Sequence, residues 1–307
     1  MKYIKINDTE LSCSQIALGC MRISKMDDAE IDTLIDAALA SGINFFDHAD
    51  IYGGGVCEEK FGAALKRRPG LRDKLFIQTK CGIRKDNGTF DFSKTYILEA
   101  VNGSLSRLGT DHVDVLLLHR PDALMEPEEV AAAFDELFLA GKVRYFGVSN
   151  QNPGQIALLK KYVRQPICIN QLQFSIMHST MLDAGIHVNM GDDAAINRDG
   201  GVLDYCRLND ITIQPWSPFQ YGFFEGVFLD NPKFPELNAV ISKLAEKYAV
   251  SNSAIAVAWI LRHPAKMQPI IGSANHQRVR DICKASDFEL TREEWYEIYR
   301  AAGNILP

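Results

Sequence analysis

In Phe45-Phe46-Asp47-His48-Ala49-Asp50-Ile51-Tyr52-Gly53, an acid and a phenol follow closely on a short apolar run. Two later apolar runs end on complementary groups: Leu75-Phe76-Ile77-Gln78-Thr79 stops at Lys80, and Val113-Asp114-Val115-Leu116-Leu117-Leu118 stops at His119. Together these side chains form a proton-donor set. A phenol with a pKa of about 10 gives up its proton reluctantly at neutral pH, and a neighbouring ammonium eases the loss. Lys80 can play that part for Tyr52, Asp47 can hold Lys80, and His119 can donate a hydrogen bond to a substrate oxygen. Such a set suits reduction of a carbonyl, in which hydride reaches carbon while a proton reaches oxygen. No side chain supplies hydride, so a cofactor must. Taken singly, each residue has a plainer use: Asp47 as a turn cap, Tyr52 as a loop anchor, Lys80 in solvent, His119 in a hydrogen-bonded core.

Separate strands must converge for the four to meet. Apolar runs near 16–19, 43–46, 74–79, 113–118, 143–148, 167–170, 211–215 and 268–271 read as strands. Amphipathic stretches at 28–40, 58–66, 93–108, 127–140, 153–162 and 235–248 alternate with them as helices, with a last one at 291–301. Several strands are continuously apolar, as expected when helices cover both faces. Ser93 as a cap, Pro127 in a first turn, and Gly42, Gly109 and Gly141 after last turns punctuate the helices. The pattern predicts an α/β fold, a (β/α)₈ TIM barrel whose strand ends share one mouth. An open doubly wound sheet competes, but no midchain linker or composition break divides the chain, so one domain over 1–307 is expected. Residues 2–12 suggest a hairpin turning at Asn7-Asp8 and capping the barrel floor. A long loop after strand 6, 171–201, is expected to be functional or a surface excursion.

Bulk properties narrow the function classes. The chain has 307 residues, 47% hydrophobic and 23% charged, with a formal net charge of -6. An acidic surface offers nothing to a nucleic acid, so none is expected as partner. Cys13, Cys20, Cys57, Cys81, Cys168, Cys206 and Cys283 are odd in number and without a Cys-x-x-Cys, which points to a reduced cytoplasm. The first residues lack a signal-peptide core, and no apolar run nears the roughly 20 residues that span a bilayer. A cytoplasmic protein without a membrane partner is expected. His178, Asp183, His187, Asp192 and Asp193 raise metal binding, but their spacing matches no compact site, and no metal is expected. No Gly-x-Gly-x-x-Gly leads from a strand into a helix, and Gly53-Gly54-Gly55 lacks the Lys-Ser/Thr of a phosphate loop.

With these residues in view, the chain resembles the aldo-keto reductases over nearly its whole length. The resemblance is carried by residues 42–53, Glu59-Lys60-Phe61-Gly62, Thr79-Lys80, Leu118-His119-Arg120-Pro121, Gly147-Val148-Ser149-Asn150 and Asn170-Gln171. It implies an NADPH-dependent oxidoreductase reducing aldehydes or ketones, with small carbonyl compounds as substrates. Tyr52 would be the acid, Lys80 and Asp47 its tuning pair, and His119 the orienter of the carbonyl. It further implies that Ser149, Asn150 and Gln171 hold the nicotinamide carboxamide and that Trp216 stacks on its ring. Ser217, Phe219 and Gln220 would line the pyrophosphate, and Ser273 and Arg278 the adenosine ribose phosphate. From the residues alone, Ser149-Asn150 reads equally as a strand-end turn and Trp216 as core packing. The family commonly has lysine where Gly272 stands here, which keeps NADH in contention. With few residues after 291–301 to cover the substrate, Phe174, Met177, His178 and Met181 of the 171–201 loop are candidates for the pocket wall. The alternative function is a cofactor-sensing regulatory barrel that binds NADPH and a protein partner with little turnover; no protein partner is otherwise indicated.

Overall fold

The computed structural model describes residues 1–7 and 9–307. Its centre is a sheet of eight parallel strands: β1 Ala17–Gly19, β2 Phe45–Asp47, β3 Phe76–Cys81, β4 Val113–Leu118, β5 Val143–Ser149, β6 Ile167–Gln173, β7 Thr212–Trp216 and β8 Ile270–Ile271. They are ordered β7-β6-β5-β4-β3-β2-β1-β8, so each strand lies beside its neighbour in sequence except where β8 returns to β1. The Gln268 amide donates to the Ile213 carbonyl at 3.0 Å, drawing the two ends of the sheet together into a nearly closed barrel. This is the predicted (β/α)₈ architecture, its helices connecting successive strands.

Helices α1 Asp28–Ala40, α2 Val56–Arg67, α3 Lys94–Leu108, α4 Pro127–Leu139 and α5 Pro153–Tyr162 follow the first five strands. Their ends are set by local chemistry: Asp27 and Glu30, and Asn152 and Gln155, form reciprocal capping boxes, and Ser93 accepts from the Tyr96 amide. After the short helices α6 Thr180–Ile186 and α7 Val202–Leu208 come α8 Pro235–Tyr248, α9 Asn252–Leu261, α10 His276–Cys283 and α11 Arg292–Ala301. Helix α9 escapes sequence periodicity because Ala254 to Ile260 are all buried, leaving no polar stripe to mark a face.

The expected N-terminal hairpin is present, but it runs beyond residue 12 to Ser14. Tyr3–Lys5 pairs antiparallel with Ser12–Ser14, and Asp8, expected in its turn, lies outside the described residues. Ile6, Leu11 and Cys13 are wholly buried and pack with Ala17, Phe45, Val115, Leu117 and Ile169 inside the barrel. The 171–201 segment is more ordered than a loop, containing α6 and a 3-10 turn at Asp193–Ala195. Phe174 stacks on Trp259 at 5.4 Å, Trp259 on Trp295 at 4.9 Å, and the Tyr299 hydroxyl donates to Asp183 at 2.8 Å. The segment is thus fastened to α9 and α11 on the outside of the barrel.

Candidate active site

Strand register brings the proton-donor set together. Asp47 ends β2 opposite Gln78 of β3, and Lys80 lies two residues further along the same strand. Because side chains alternate with period two, Gln78 and Lys80 share the inner face, and both reach Asp47. Lys80 pairs in register with Leu117 of β4, and His119 follows two residues later on that face. Tyr52 comes from the turn after β2. There Gly53, Gly54 and Gly55 all have positive φ, and a Cβ on Gly55 would sit 2.9 Å from the Arg107 side chain. Only glycine fits that bend without strain.

The Lys80 ammonium is wholly buried and fully engaged. It lies 2.7 Å from Asp47 Oδ1 and 2.8 Å from Oδ2, and donates to the His48 carbonyl at 2.7 Å and to Tyr52 Oη at 3.0 Å. Burial works against its charge, but Asp47 and Tyr52 outweigh burial and hold its pKa above the ordinary value. For Tyr52 the balance differs from the expectation: burial pushes the phenol up, the ammonium pulls it down, and the net is above about 10. The resting phenol therefore keeps its proton. His119 is held well below its usual pKa by burial and by Lys80, Arg120 and Lys85, so it is neutral at physiological pH. Its ring stands edge-on to Tyr52 at 6.0 Å, and its Nδ1 is buried without a partner among the described residues.

Beneath Asp47 runs a ladder of glutamines that sequence reasoning missed. Gln268 Nε2 donates to the Ser14 carbonyl at 2.7 Å, and Gln214 Nε2 donates to Gln268 Oε1 at 2.8 Å. Gln214 Oε1 accepts from Gln78 at 2.9 Å and from Gln171 at 3.1 Å. Both of these amides also donate to Asp47 Oδ1, at 2.5 and 3.1 Å. A main-chain carbonyl only accepts, so Ser14 fixes the direction of every amide above it. The ladder delivers N–H groups onto the carboxylate. Its sequence signal was a glutamine in or beside each of several buried apolar runs: Gln78, Gln171, Gln214 and Gln268.

All of this opens on one cavity of about 640 Å³, lined by Asp47, Tyr52 and His119 and by Ser149, Asn150, Gln171, Trp216, Ser217, Phe219, Gln220, Ser273 and Arg278. Of the residues given a catalytic or cofactor part from the sequence, only Lys80 is not in the lining; it reaches the cavity through Asp47 and Tyr52. Asn150 links the central part: its Nδ2 donates to Ser149 Oγ at 2.8 Å, and its Oδ1 accepts from the Trp216 indole at 3.1 Å. Trp216 lies against Phe224, with ring centroids 5.8 Å apart. The wall expected from the 171–201 loop comes instead from the segment after β7, through Phe224, Val227 and Leu229, since Phe174, Met177, His178 and Met181 do not line the cavity. Arg120 and Lys85 line it as well; Arg120 stood in a quoted motif but carried no assigned part. Among the described residues, no group of three or more His, Cys, Asp or Glu side chains is placed to hold a metal. His187 uses both ring nitrogens structurally, on Asp192 at 2.8 Å and on the Ile305 carbonyl at 2.9 Å.

Comparison with known proteins settles the family. The model of the Aldo/keto reductase family matches residues 15–302. The chain belongs to the aldo/keto reductase family. It is 36% identical to an uncharacterized oxidoreductase, YcsN, of Bacillus subtilis over 97% of both chains. It is 35% identical to the 6-dehydroglucose reductase of Agrobacterium fabrum over 98% of both chains. Among solved structures it resembles the thermostable aldo-keto reductase Tm1743, crystallised with the inhibitor epalrestat, at a TM-score of 0.79 and 25% identity; the match covers 98% of this chain and 100% of that one. As an aldo-keto reductase the protein is an oxidoreductase, an enzyme dependent on a nicotinamide cofactor. Among the described residues no helix is long and apolar enough to cross a membrane.

Proposed function

We propose that this enzyme, one barrel domain over residues 1–307, uses NADPH to reduce aldehydes and ketones to alcohols, with Tyr52 as the general acid. The observation that carries the reading is the buried Lys80 ammonium held between Asp47 and the Tyr52 hydroxyl at 3.0 Å, beside a neutral His119. Neutral His119 keeps one ring N–H, which aims the substrate carbonyl oxygen toward Tyr52. As charge builds on that oxygen, Tyr52 Oη passes its proton to it. Lys80, fixed as an ammonium by Asp47, stabilises the phenolate left behind. A positioned acid of this kind contributes about 10²–10⁴-fold. The glutamine ladder keeps Asp47 oriented toward Lys80.

The residues lining the cavity fit a nicotinamide dinucleotide. Ser149, Asn150 and Gln171 present polar groups beside the exposed part of Trp216, a flat partner for an aromatic ring. When bound, NADPH supplies the hydride. Ser273 and Arg278 line the same cavity and would hold the ribose phosphate; Arg278 is exposed, forms no ion pair with a described residue, and carries a planar fork suited to phosphate oxygens. That free arginine favours NADPH over NADH despite Gly272. Seven free, buried cysteines support a cytoplasmic location.

The test is nicotinamide oxidation with a panel of aldehydes and ketones, 6-dehydroglucose among them because a relative carries that name, followed with NADPH and NADH in parallel. Alcohol formed in step with nucleotide consumed is expected, faster with NADPH. No turnover of any carbonyl with either nucleotide would sink the proposal.

A further inference from the structure

Immediately after His119, Arg120 places a second charged group in the cavity. It is half-buried, yet its guanidinium makes no hydrogen bond or ion pair with any described residue. Its Cζ lies 5.6 Å from the Trp216 ring centroid and 5.9 Å from that of Phe223, two rings that meet nearly at right angles. The guanidinium lies against both rings, and none of its N–H groups has a partner among the described residues. Partial burial lowers the Arg120 pKa, which shows what removing a cation from water without a counter-charge costs.

The rest of the cavity does not supply that counter-charge. Of its carboxylates, Asp47 is committed to Lys80, and Asp230 is exposed and accepts from Asn252 at 3.1 Å. Three further cations of the lining, Arg22, Lys85 and Arg278, stand exposed with no ion pair among the described residues; the Lys85 side chain donates only to the Ile51 carbonyl, at 2.9 Å. The mouth is electropositive on a protein whose formal net charge is -6. Such a field concentrates small anions at a cleft.

We infer that Arg120 is a specificity-determining residue that binds the carboxylate of the substrate, making aldehyde acids and keto acids the preferred class. Arg120 follows His119 in the chain and lines the same cavity, so one small molecule can present its carboxylate to Arg120 and its carbonyl to His119. One half-buried guanidinium balances one negative charge, and its fork matches the two oxygens of a carboxylate. This inference rests on the reductase reading given above and narrows it.

The experiment compares kcat/KM for succinic semialdehyde and terephthalaldehydic acid, each against its own methyl ester, in wild type, Arg120→Met and Arg120→Lys. Using the acid-to-ester ratio cancels intrinsic carbonyl reactivity. The ratio is expected to fall about 10- to 100-fold in Arg120→Met for at least one pair, the worth of a charge-assisted hydrogen bond, and to recover in part in Arg120→Lys. In wild type alone the ratio is expected to fall as salt rises. A ratio that moves less than about threefold in both pairs, or a raised KM for nucleotide with no change in the ratio, overturns the assignment. If neither acid nor ester is reduced by wild type, turnover of the wider carbonyl panel decides the reductase reading, and calorimetric binding decides the carboxylate subsite by itself. Saturable binding of terephthalaldehydic acid over its ester, lost in Arg120→Met, upholds the subsite; equal binding by both proteins removes it.

Discussion

The two ends of the same barrel strands are built on opposite terms. At the floor, Phe45, Val115, Leu117 and Ile169 are wholly buried against the hairpin residues Ile6, Leu11 and Cys13. Two residues further along, the inner face turns polar: Phe45 gives way to Asp47 and Leu117 to His119. These apolar floor groups satisfy one another by packing alone. Mouth groups do not: His119 Nδ1 and Asp50 Oδ1 are buried without partners among the described residues, and Arg120 has no counter-charge. Between the two ends, the glutamines convert a fixed main-chain carbonyl at Ser14 into aligned donors under Asp47. One end spends its burial on stability, and the other holds charge out of water where it can act, a division common to this fold.

Breaking the comparison at the mouth has the largest expected effect. Lys80→Met leaves Asp47 buried without its cation and is expected to cost about 3–5 kcal/mol of stability, together with most of the turnover. Denaturant unfolding checks it, and the added change Asp47→Asn is expected to restore much of the stability but none of the rate. At the floor, Phe45→Ala is expected to cost a similar 3–5 kcal/mol through the cavity it leaves, with kcat per folded molecule kept. A fall in kcat there would mean that floor and mouth are not separable. The ladder is the intermediate case. Gln214→Leu strands the donors of Gln78 and Gln171 and is expected to cost about 1–3 kcal/mol while also lowering kcat, since Asp47 loses its alignment.

A pH dependence at Asp50, beside the proton-donor set, probes the mouth through stability alone. Burial and the nearby Glu58 push its carboxyl up to about 7. Between an unfolded value of about 3.9 and that folded value, the native protein binds the extra proton, so stability falls as pH rises through this window. Asp50→Asn is expected to flatten that decline. Unfolding midpoints at acidic, neutral and mildly alkaline pH test it; an equally steep decline in the variant would assign it to another group.

Much of this was legible because barrel strands carry their own signal. The continuous run at Val113–Leu118 and the proline-led helices Pro153–Tyr162 and Pro235–Tyr248 match the structure residue for residue. Lys80 and His119 were found because a polar group ending a buried run is conspicuous. Helix α9 was not, since burial on every side erases amphipathicity. The part played by residues 171–201 was also hidden: Phe174 and Met181 look like pocket aromatics and methionines, but partners far along the chain, Trp259 and the C-terminal helix, decide where the segment sits. The net raised pKa of Tyr52 was likewise out of reach, because burial competes with Lys80 and only coordinates weigh the two.

Single-turnover reduction of a reactive aldehyde by Tyr52→Phe, with nucleotide affinity measured on the same protein, bears most directly on the mouth as a proton-delivery site. Nucleotide affinity close to wild type with hydride transfer slowed about 10²–10⁴-fold is the expected result. A rate within about threefold of wild type would contradict it, and the proton would have to come from elsewhere.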